Sequence, residues 1–405
     1  MTAASSRETP VVWILEMPKG TSPLPSDDVR AFGLSARQRL ERTLARAGAG
    51  PVDDWPLTRS LAETDAGSAV LFRDDCFYDE RLVCALLETT ETLLCQPGAD
   101  GEPREPVAAR VEQSHRAAAL EALRNRQSDA LPDAVSHSTS ADLVPAYNPQ
   151  LRKFDPAFVF PASPESVREA ENRIFAASYK GITDFITKHV FPAPALAVVR
   201  VLAALGVKPN TVTLVSYALT AAVVLLFARG DFALGLLMAW AMTFLDTVDG
   251  KLARVTLTSS RLGGFLDHAL DLVHPPIWWW AFAVGLGMQN AGVEAAMLVI
   301  VGGYVVGRIL EGIFLLAFGM EVFTWRPFDA FFRGIIARRN PNLLLLSLGC
   351  VVARPEWGYM AVAIWTAICI AVASARIVQA ATQRMRGHAI QPWHEQSTSP
   401  ATGPA

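Results

Sequence analysis

Cysteine and histidine are scarce in this chain. Its 405 residues include five cysteines and seven histidines. Cys76, Cys84, Cys95, Cys350 and Cys369 show no metal-type CxxC spacing, and their odd number argues against a disulfide framework. Charge is scarce too: 19% of residues are charged and the formal net charge is −3. A balance so near neutral gives no reason to expect a nucleic-acid partner. The first residues, MTAASSRETPVVWILEMPKG, lack the long apolar run that follows a basic start in a secretory signal. No cleaved signal is expected, and the N-terminal portion is expected to stay in the cytosol. Apolar residues are what the chain has in plenty: 51% are hydrophobic and the mean hydropathy is positive. That combination fits a soluble part joined to a membrane part.

Residues 1–127 read as a soluble α/β domain. Strands are expected at 11–15, 69–72 and 107–111, and helices at 35–47 and 80–87. Alternation of this kind suggests a parallel sheet with helical crossovers. Residues 128–163 begin rich in Ser, Asp and Pro and read as a linker. Over 164–190, Phe175, Tyr179, Ile182, Ile186 and Val190 share one helical face, and Arg173, Lys180, Asp184 and Lys188 another. This predicts an amphipathic helix lying on a membrane surface, or else a soluble helix docked on its own domain.

Apolar segments follow at 211–228, 232–245, 265–288, 293–318, 343–352 and 359–378, giving six expected spans within a membrane domain at 191–386. A span needs about 20 apolar residues. The second reaches that length only by running into 246–254, and the fifth only with its polar flanks. Lys251, Arg254, Arg261, Arg326, Arg333, Arg338, Arg339, Arg384 and Arg386 gather on one side of the expected spans, against Arg229 and Arg354 on the other. This bias puts both termini and the 246–271 stretch in the cytosol. Residues 387–405 are expected to form a disordered tail.

The stretch 246–271 holds Asp246 and Asp249, three apart, and Asp267 and Asp271, four apart. On helices each pair shares one face. Acids beside apolar spans are costly and mark a functional site. Carboxylates without cysteine suit hard ions such as Mg²⁺ or Mn²⁺. Two such ions would neutralise a diphosphate and stabilise a leaving oxygen, while a free carboxylate takes a proton from an attacking hydroxyl. Gly250, Gly263 and Gly264 permit close backbone approach, and Arg254 offers a fork for phosphate. The competing readings are a loop held by Lys251, Arg254 and Arg261, or an ion path in a transporter or scaffold with a metal site.

The pattern D-x2-D-G-x2-A-R-x8-G-x3-D-x3-D is met at Asp246, Asp249, Gly250, Ala253, Arg254, Gly263, Asp267 and Asp271. In this the chain resembles CDP-alcohol phosphatidyltransferases over about 175–386. The resemblance implies a multi-pass, six-helix membrane enzyme, usually a homodimer, that binds two divalent ions. It would move a phosphatidyl-type group from a CDP-linked lipid to an alcohol and release CMP. It makes Asp246, Asp249, Asp267 and Asp271 the metal ligands and Asp271 the general base as well. It gives the CDP to Asp246, Gly250, Ala253, Arg254, Ser260 and Gly263, and to Pro209, Asn210, Thr211 and Val212 at the start of the first span. Asn210 or Thr211 reads equally well as a helix cap. An anionic acceptor would fall to Arg308, Arg376, Arg338 or Arg339, although Arg308 can instead pair with Glu311. His268 and His274 flank Asp271 and read as hydrogen-bonding neighbours, and Trp278, Trp279 and Trp280 as packing or lipid contacts.

The N-terminal part resembles the nucleotidyltransferase domain fused to this membrane module in bifunctional enzymes making inositol-phosphate lipids. The resemblance lies in 33–50 and 68–88, and it puts a metal at Asp74 or Asp75. Where such domains need a Gly-rich loop after the first strand, this chain reads EMPKGTSPLPS, with few backbone donors for a triphosphate. A degenerate domain is expected, serving dimerisation, regulation or substrate delivery. The alternative is a bifunctional enzyme that makes its own CDP-alcohol.

Overall fold

The computed structural model describes residues 10–18, 28–49, 52–55, 67–98, 101–128, 131–259 and 261–393. Most of the proline-bearing segment after the first strand and the end of the C-terminal tail lie outside these residues. Two compact units divide the chain. The first comprises Met1–Lys180, Arg200–Gly206 and Ala253–Thr258; the second comprises Gly181–Val199, Val207–Leu252 and Ser259–Ala405.

The first unit is α/β. Its sheet runs Val52–Trp55, Val11–Leu15, Ala69–Arg73, Pro103–Val111, Thr92–Pro97, Ser136–Ser138. Alternation along Val11–Leu15 sends Val12 and Ile14 to one face, with Leu40 and Leu44 of helix α1 (Ala36–Ala47) and Leu82 and Leu86 of α2 (Glu80–Glu88). Trp13 and Leu15 go to the other face, with Ala119, Leu120 and Leu123 of α3 (Arg116–Asn125). Helix α1 starts in a capping box between Ser35 and Gln38 and stops at Gly48, whose φ of 68° is cheap only for glycine.

The sheet is mixed, where alternation of strands and helices suggested a parallel one. Pro103–Val111 runs antiparallel to both neighbours, because the few residues after Pro97 allow a hairpin but no helical crossover. The stretch expected as a linker also carries structure. Ser136–Ser138 pairs with Thr92–Leu94, and α4 (Ser140–Leu143) follows, closed by a capping box between Thr139 and Asp142. Residues 164–190 do not form one helix. Helix α5 (Val167–Ala176) ends where the Ser178 hydroxyl takes the Phe175 carbonyl at 2.6 Å, and Ile186–Val190 forms a separate π-helical turn.

The remaining helices are α6 (Pro192–Ala204), α7 (Pro209–Ala228), α8 (Phe232–Val255), α9 (Arg261–Leu286), α10 (Ala291–Phe318), α11 (Pro327–Phe332), α12 (Arg339–Val351) and α13 (Pro355–Met385). Among the described residues four of them, α7, α8, α10 and α13, are long and apolar enough to cross a membrane. Helix α12, with 13 residues, is only about 20 Å long at 1.5 Å per residue, against a hydrocarbon core of about 30 Å. Phe227, Trp278, Trp279, Phe282 and Tyr359 are central to the buried core of the second unit.

Glycines let these helices meet backbone to backbone. A Cβ on Gly358 would lie 2.9 Å from the Leu345 carbonyl oxygen and 3.1 Å from the Gly349 Cα. No flexible side chain is there to give way. Gly358→Val is therefore expected to force α12 and α13 apart and to cost about 1–3 kcal/mol, measured as a fall in thermal midpoint in detergent. An unchanged midpoint would refute the close contact.

A candidate carboxylate and arginine site

Helix α8 carries Asp246 and Asp249 one turn apart, and α9 carries Asp267 and Asp271 one turn apart. Along 261–270 only the backbone is described, apart from Gly264, so Asp267, Gly263 and His268 are placed on α9 and nothing is said of their side chains. Ser260 lies outside the described residues.

Asp246 and Asp271 meet at one cation. Arg339, the first residue of α12, donates from Nη2 to Asp246 Oδ2 at 2.6 Å and from Nη1 to Asp271 Oδ1 at 2.8 Å. His274 Nε2 lies 3.5 Å from the same Nη1, and its ring meets Trp278 edge to face. Burial of a lone guanidinium is costly, and the two carboxylates offset that cost by pairing with it. Asp249 is 5% exposed and accepts a hydrogen bond from Thr213 Oγ1 of α7 at 2.8 Å.

These residues fit a divalent cation by donor chemistry. Asp246, Asp249 and Asp271 offer only hard oxygen, and two of them already converge on a positive charge. Among the described residues no three His, Cys, Asp or Glu side chains gather as a ready ligand set.

The turn bearing Asp271 has a second peculiarity. Pro275 and Pro276 lie inside α9 and cannot donate to the carbonyls of Asp271 and Leu272, four residues back. The Tyr304 hydroxyl of α10 stands in, at 3.0 Å from the Leu272 oxygen and 3.5 Å from that of Asp271.

Beside Asp271 is a cavity of about 190 Å³ whose wall includes Asp184, Tyr304, Arg308, Arg333, Arg338, Arg339 and Asn340. Arg308 Nη2 donates to Glu311 Oε1 at 2.6 Å, and Arg338 Nη2 reaches both oxygens of the same Glu311 at 2.8 and 2.7 Å. Two guanidiniums thus share one carboxylate. Arg333 Nη1 is buried with no hydrogen-bond partner among the described residues. Burial first, then the like charge of Arg338, pushes the Arg333 pKa down to about 9. An anion in the cavity would relieve both effects.

Of the arginines expected to hold an acceptor, Arg308, Arg338 and Arg339 line this cavity, and Arg376 does not. Arg376 makes a buried fork to Asp329, 2.6 Å and 2.7 Å, with its guanidinium 4.4 Å from the centre of the Trp325 ring. Arg333 was counted in the sequence only as a basic loop residue, and nothing in the sequence marked Tyr304 or Thr213. At the start of α7 the cap is Lys208, without a side-chain hydrogen bond, and Pro209 is the first helical residue. Asn210 and Thr211 therefore lie exposed in the first turn rather than capping it, and Val212 is buried. Gly250, Ala253 and Arg254 lie in the last two turns of α8, with Arg254 exposed.

In the first unit both acids expected near a metal are engaged. Asp74 Oδ1 accepts from the Met17 amide at 3.0 Å. Asp75 takes Arg73 at 2.9 Å on each oxygen, and Arg126 at 2.7 Å. Burial alone would raise the Asp75 pKa, but the hydrogen bonds and charge of Arg73, with Arg126, hold it below the ordinary value.

The family model described as CDP-alcohol phosphatidyltransferase matches residues 207–336, in the C-terminal part of the chain, and bears out the family read from the 246–271 pattern. The chain is similar to the phosphatidylinositol phosphate synthase of Streptomyces avermitilis, 33% identical over 126 residues, which are 30% of this chain and 50% of that protein. It is similar to the archaetidylinositol phosphate synthase of Pyrococcus horikoshii, 33% identical over 113 residues, 26% of this chain and 55% of that protein. It also resembles the bifunctional IPC transferase and DIPP synthase of Rubrobacter xylanophilus, 26% identical over 197 residues, 48% of this chain and 42% of that protein. The chain thus spans about half the length of these curated relatives.

Removing the Tyr304 hydroxyl tests how the Asp271 turn is held. Tyr304→Phe leaves two carbonyls without their donor and is expected to destabilise that turn by about 1–3 kcal/mol. Hydrogen exchange should then speed up in 269–274 and stay unchanged in α13. Equal exchange in both proteins would show that Tyr304 carries no such load.

Proposed function

We propose that this chain transfers a phosphatidyl-type group from a CDP-linked lipid to an anionic alcohol acceptor, releasing CMP. The observation that carries this reading is Asp271 in the wall of a cavity lined by Arg308, Arg333 and Arg338. Its side chain is 41% exposed, against 15% for Asp246, so among the described carboxylates of the motif Asp271 is the one an acceptor hydroxyl can reach. Its carboxylate takes the hydroxyl proton as the acceptor oxygen attacks the lipid-side phosphorus and the bond to CMP breaks. Asp246, Asp249, Asp267 and Asp271 would hold two Mg²⁺ or Mn²⁺ ions, which when bound neutralise the diphosphate and stabilise the leaving oxygen. The stretch 209–212 together with Gly250, Ala253, Arg254, Ser260 and Gly263 takes the CDP. Arg308, Arg333 and Arg338 hold the acceptor's anionic group. Arg339 balances the acids, and Arg376 ties α11 to α13. Two relatives are named for inositol phosphate products, so an inositol phosphate is the first acceptor to try.

The same reading has the chain cross a membrane six times, through α7, α8, α9, α10, α12 and α13, as a homodimer with the site and both termini in the cytosol. The Lys/Arg bias of the loops supports that orientation. We further infer that the N-terminal α/β part makes no CDP-alcohol. Asp75 is saturated by two arginines, and the Asp74 carboxylate occupies the Met17 amide just past the first strand.

Purified protein with CDP-diacylglycerol, an inositol phosphate and Mg²⁺ or Mn²⁺ is expected to release CMP. Asp271→Asn should lower kcat/KM by about 10²–10⁴-fold. Turnover by the Asn variant at the wild-type rate would sink the assigned mechanism, and no CMP with any alcohol would favour a transporter or scaffold. Incubation with CTP and a polyol phosphate is expected to yield no pyrophosphate. Its appearance would establish a bifunctional enzyme.

A further inference from the structure

Within the first unit, two arginines of α1 hold the C-terminal end of α8. The last carbonyls of a helix have no partner in the helix itself and form its negative end. Arg39 Nη1 donates to the Val255 carbonyl at 2.6 Å, and Arg42 Nη1 to that of Thr256 at 2.7 Å. The two arginines are three apart on α1 and so share a face. Arg39 is buried, and burial pushes its pKa down to about 10. A cation desolvated in this way needs the carbonyls it meets.

The turn that leaves α8 is itself strained. Leu257 has a φ of 55°, left-handed for a branched side chain, and is buried. The turn closes through Leu257 N to Arg254 O at 3.2 Å and Thr258 N to Ala253 O at 2.9 Å. Such a conformation persists only where the surroundings over-determine it. Here the buried Leu257 side chain and the two guanidiniums do so. The residues fixed by this turn, Ala253 and Arg254, are those assigned above to the CDP.

We propose that Arg39 and Arg42 are positioning residues for the nucleotide: they clamp the last turn of α8 so that Ala253 and Arg254 are preset for CDP. The N-terminal fold then has a task that needs no triphosphate loop. The inference rests on the transferase reading above.

The test uses the full chain in detergent. Arg39→Ala/Arg42→Ala is expected to raise KM for the CDP-lipid about tenfold with kcat within about twofold, since bound and reacting states lose the same contact. Amides 256–258 should exchange about tenfold faster. Arg39→Lys, which keeps a cationic donor, should retain most of the affinity. If the double variant does not fold, the exposed Arg42→Ala alone should move KM and exchange in the same direction. Unchanged KM and exchange would overturn the proposal, and so would a fall in kcat at constant KM. A wild-type protein that releases no CMP would defeat the transferase reading, while the exchange comparison would still decide whether the clamp exists.

Discussion

Charge in an apolar setting has to be balanced locally, and the meeting of Arg339 with Asp246 and Asp271 is where that rule bears hardest on this chain. The three side chains come from α12, α8 and α9. Removing any one would leave a charge without its counterpart, which costs far more than the ion pair itself contributes. Besides the glycine contacts and the aromatic core, these ion pairs help to set the rotation of helices that are apolar over most of their surface. The same rule is met at Arg376 with Asp329, at Arg308 and Arg338 with Glu311, and in the α/β unit at Arg73 with Asp75. Arg333, in the cavity wall, is less fully answered, since its Nη1 is buried with no hydrogen-bond partner among the described residues. A surplus cation at the wall of a cavity is most simply answered by an anion from solution.

Much of this was written locally in the chain. The strand Val11–Leu15 and the helix starting after Ser35 follow from alternation and a capping box, both of which span only a few residues. The acids of 246–271 stood out because polar residues beside apolar spans are conspicuous, and the spacing gave their helical faces. The mixed sheet was not legible, because strand direction depends on a connection rather than on strand composition. Nor was the break in 164–190, where Ser178 competes for a backbone carbonyl that periodicity takes no account of. The roles of Thr213, Tyr304 and Arg333 depend on which faces of α7, α9 and α10 meet. A helix that is apolar nearly all round carries no stripe to announce that. Arg339 illustrates the same limit: the sequence put it near an acceptor, and the structure gives its two terminal nitrogens to acids distant in the chain.

The α/β unit repeats the theme with a different outcome. An acid pair following a strand is a natural metal position, yet here Asp75 closes an ion-pair network with Arg73, Glu105 and Arg126. Arg73 is wholly buried and also donates to the Pro106 carbonyl at 2.8 Å. A carboxylate so engaged contributes to the interior of a domain and is poorly placed to exchange ligands.

The proline pair in α9 has a mechanical meaning. An uninterrupted helix transmits displacement along its axis as a rod does, because each turn is bonded to the next. At Asp271 and Leu272 that continuity is broken by Pro275 and Pro276, and the missing bond is replaced by a hydroxyl from α10. The acid therefore sits on a joint whose stiffness is set by a neighbouring helix. Small shifts of α10, which also carries Arg308, would tilt Asp271 without unwinding anything, so the basic wall of the cavity and the carboxylate facing it would move as one jaw.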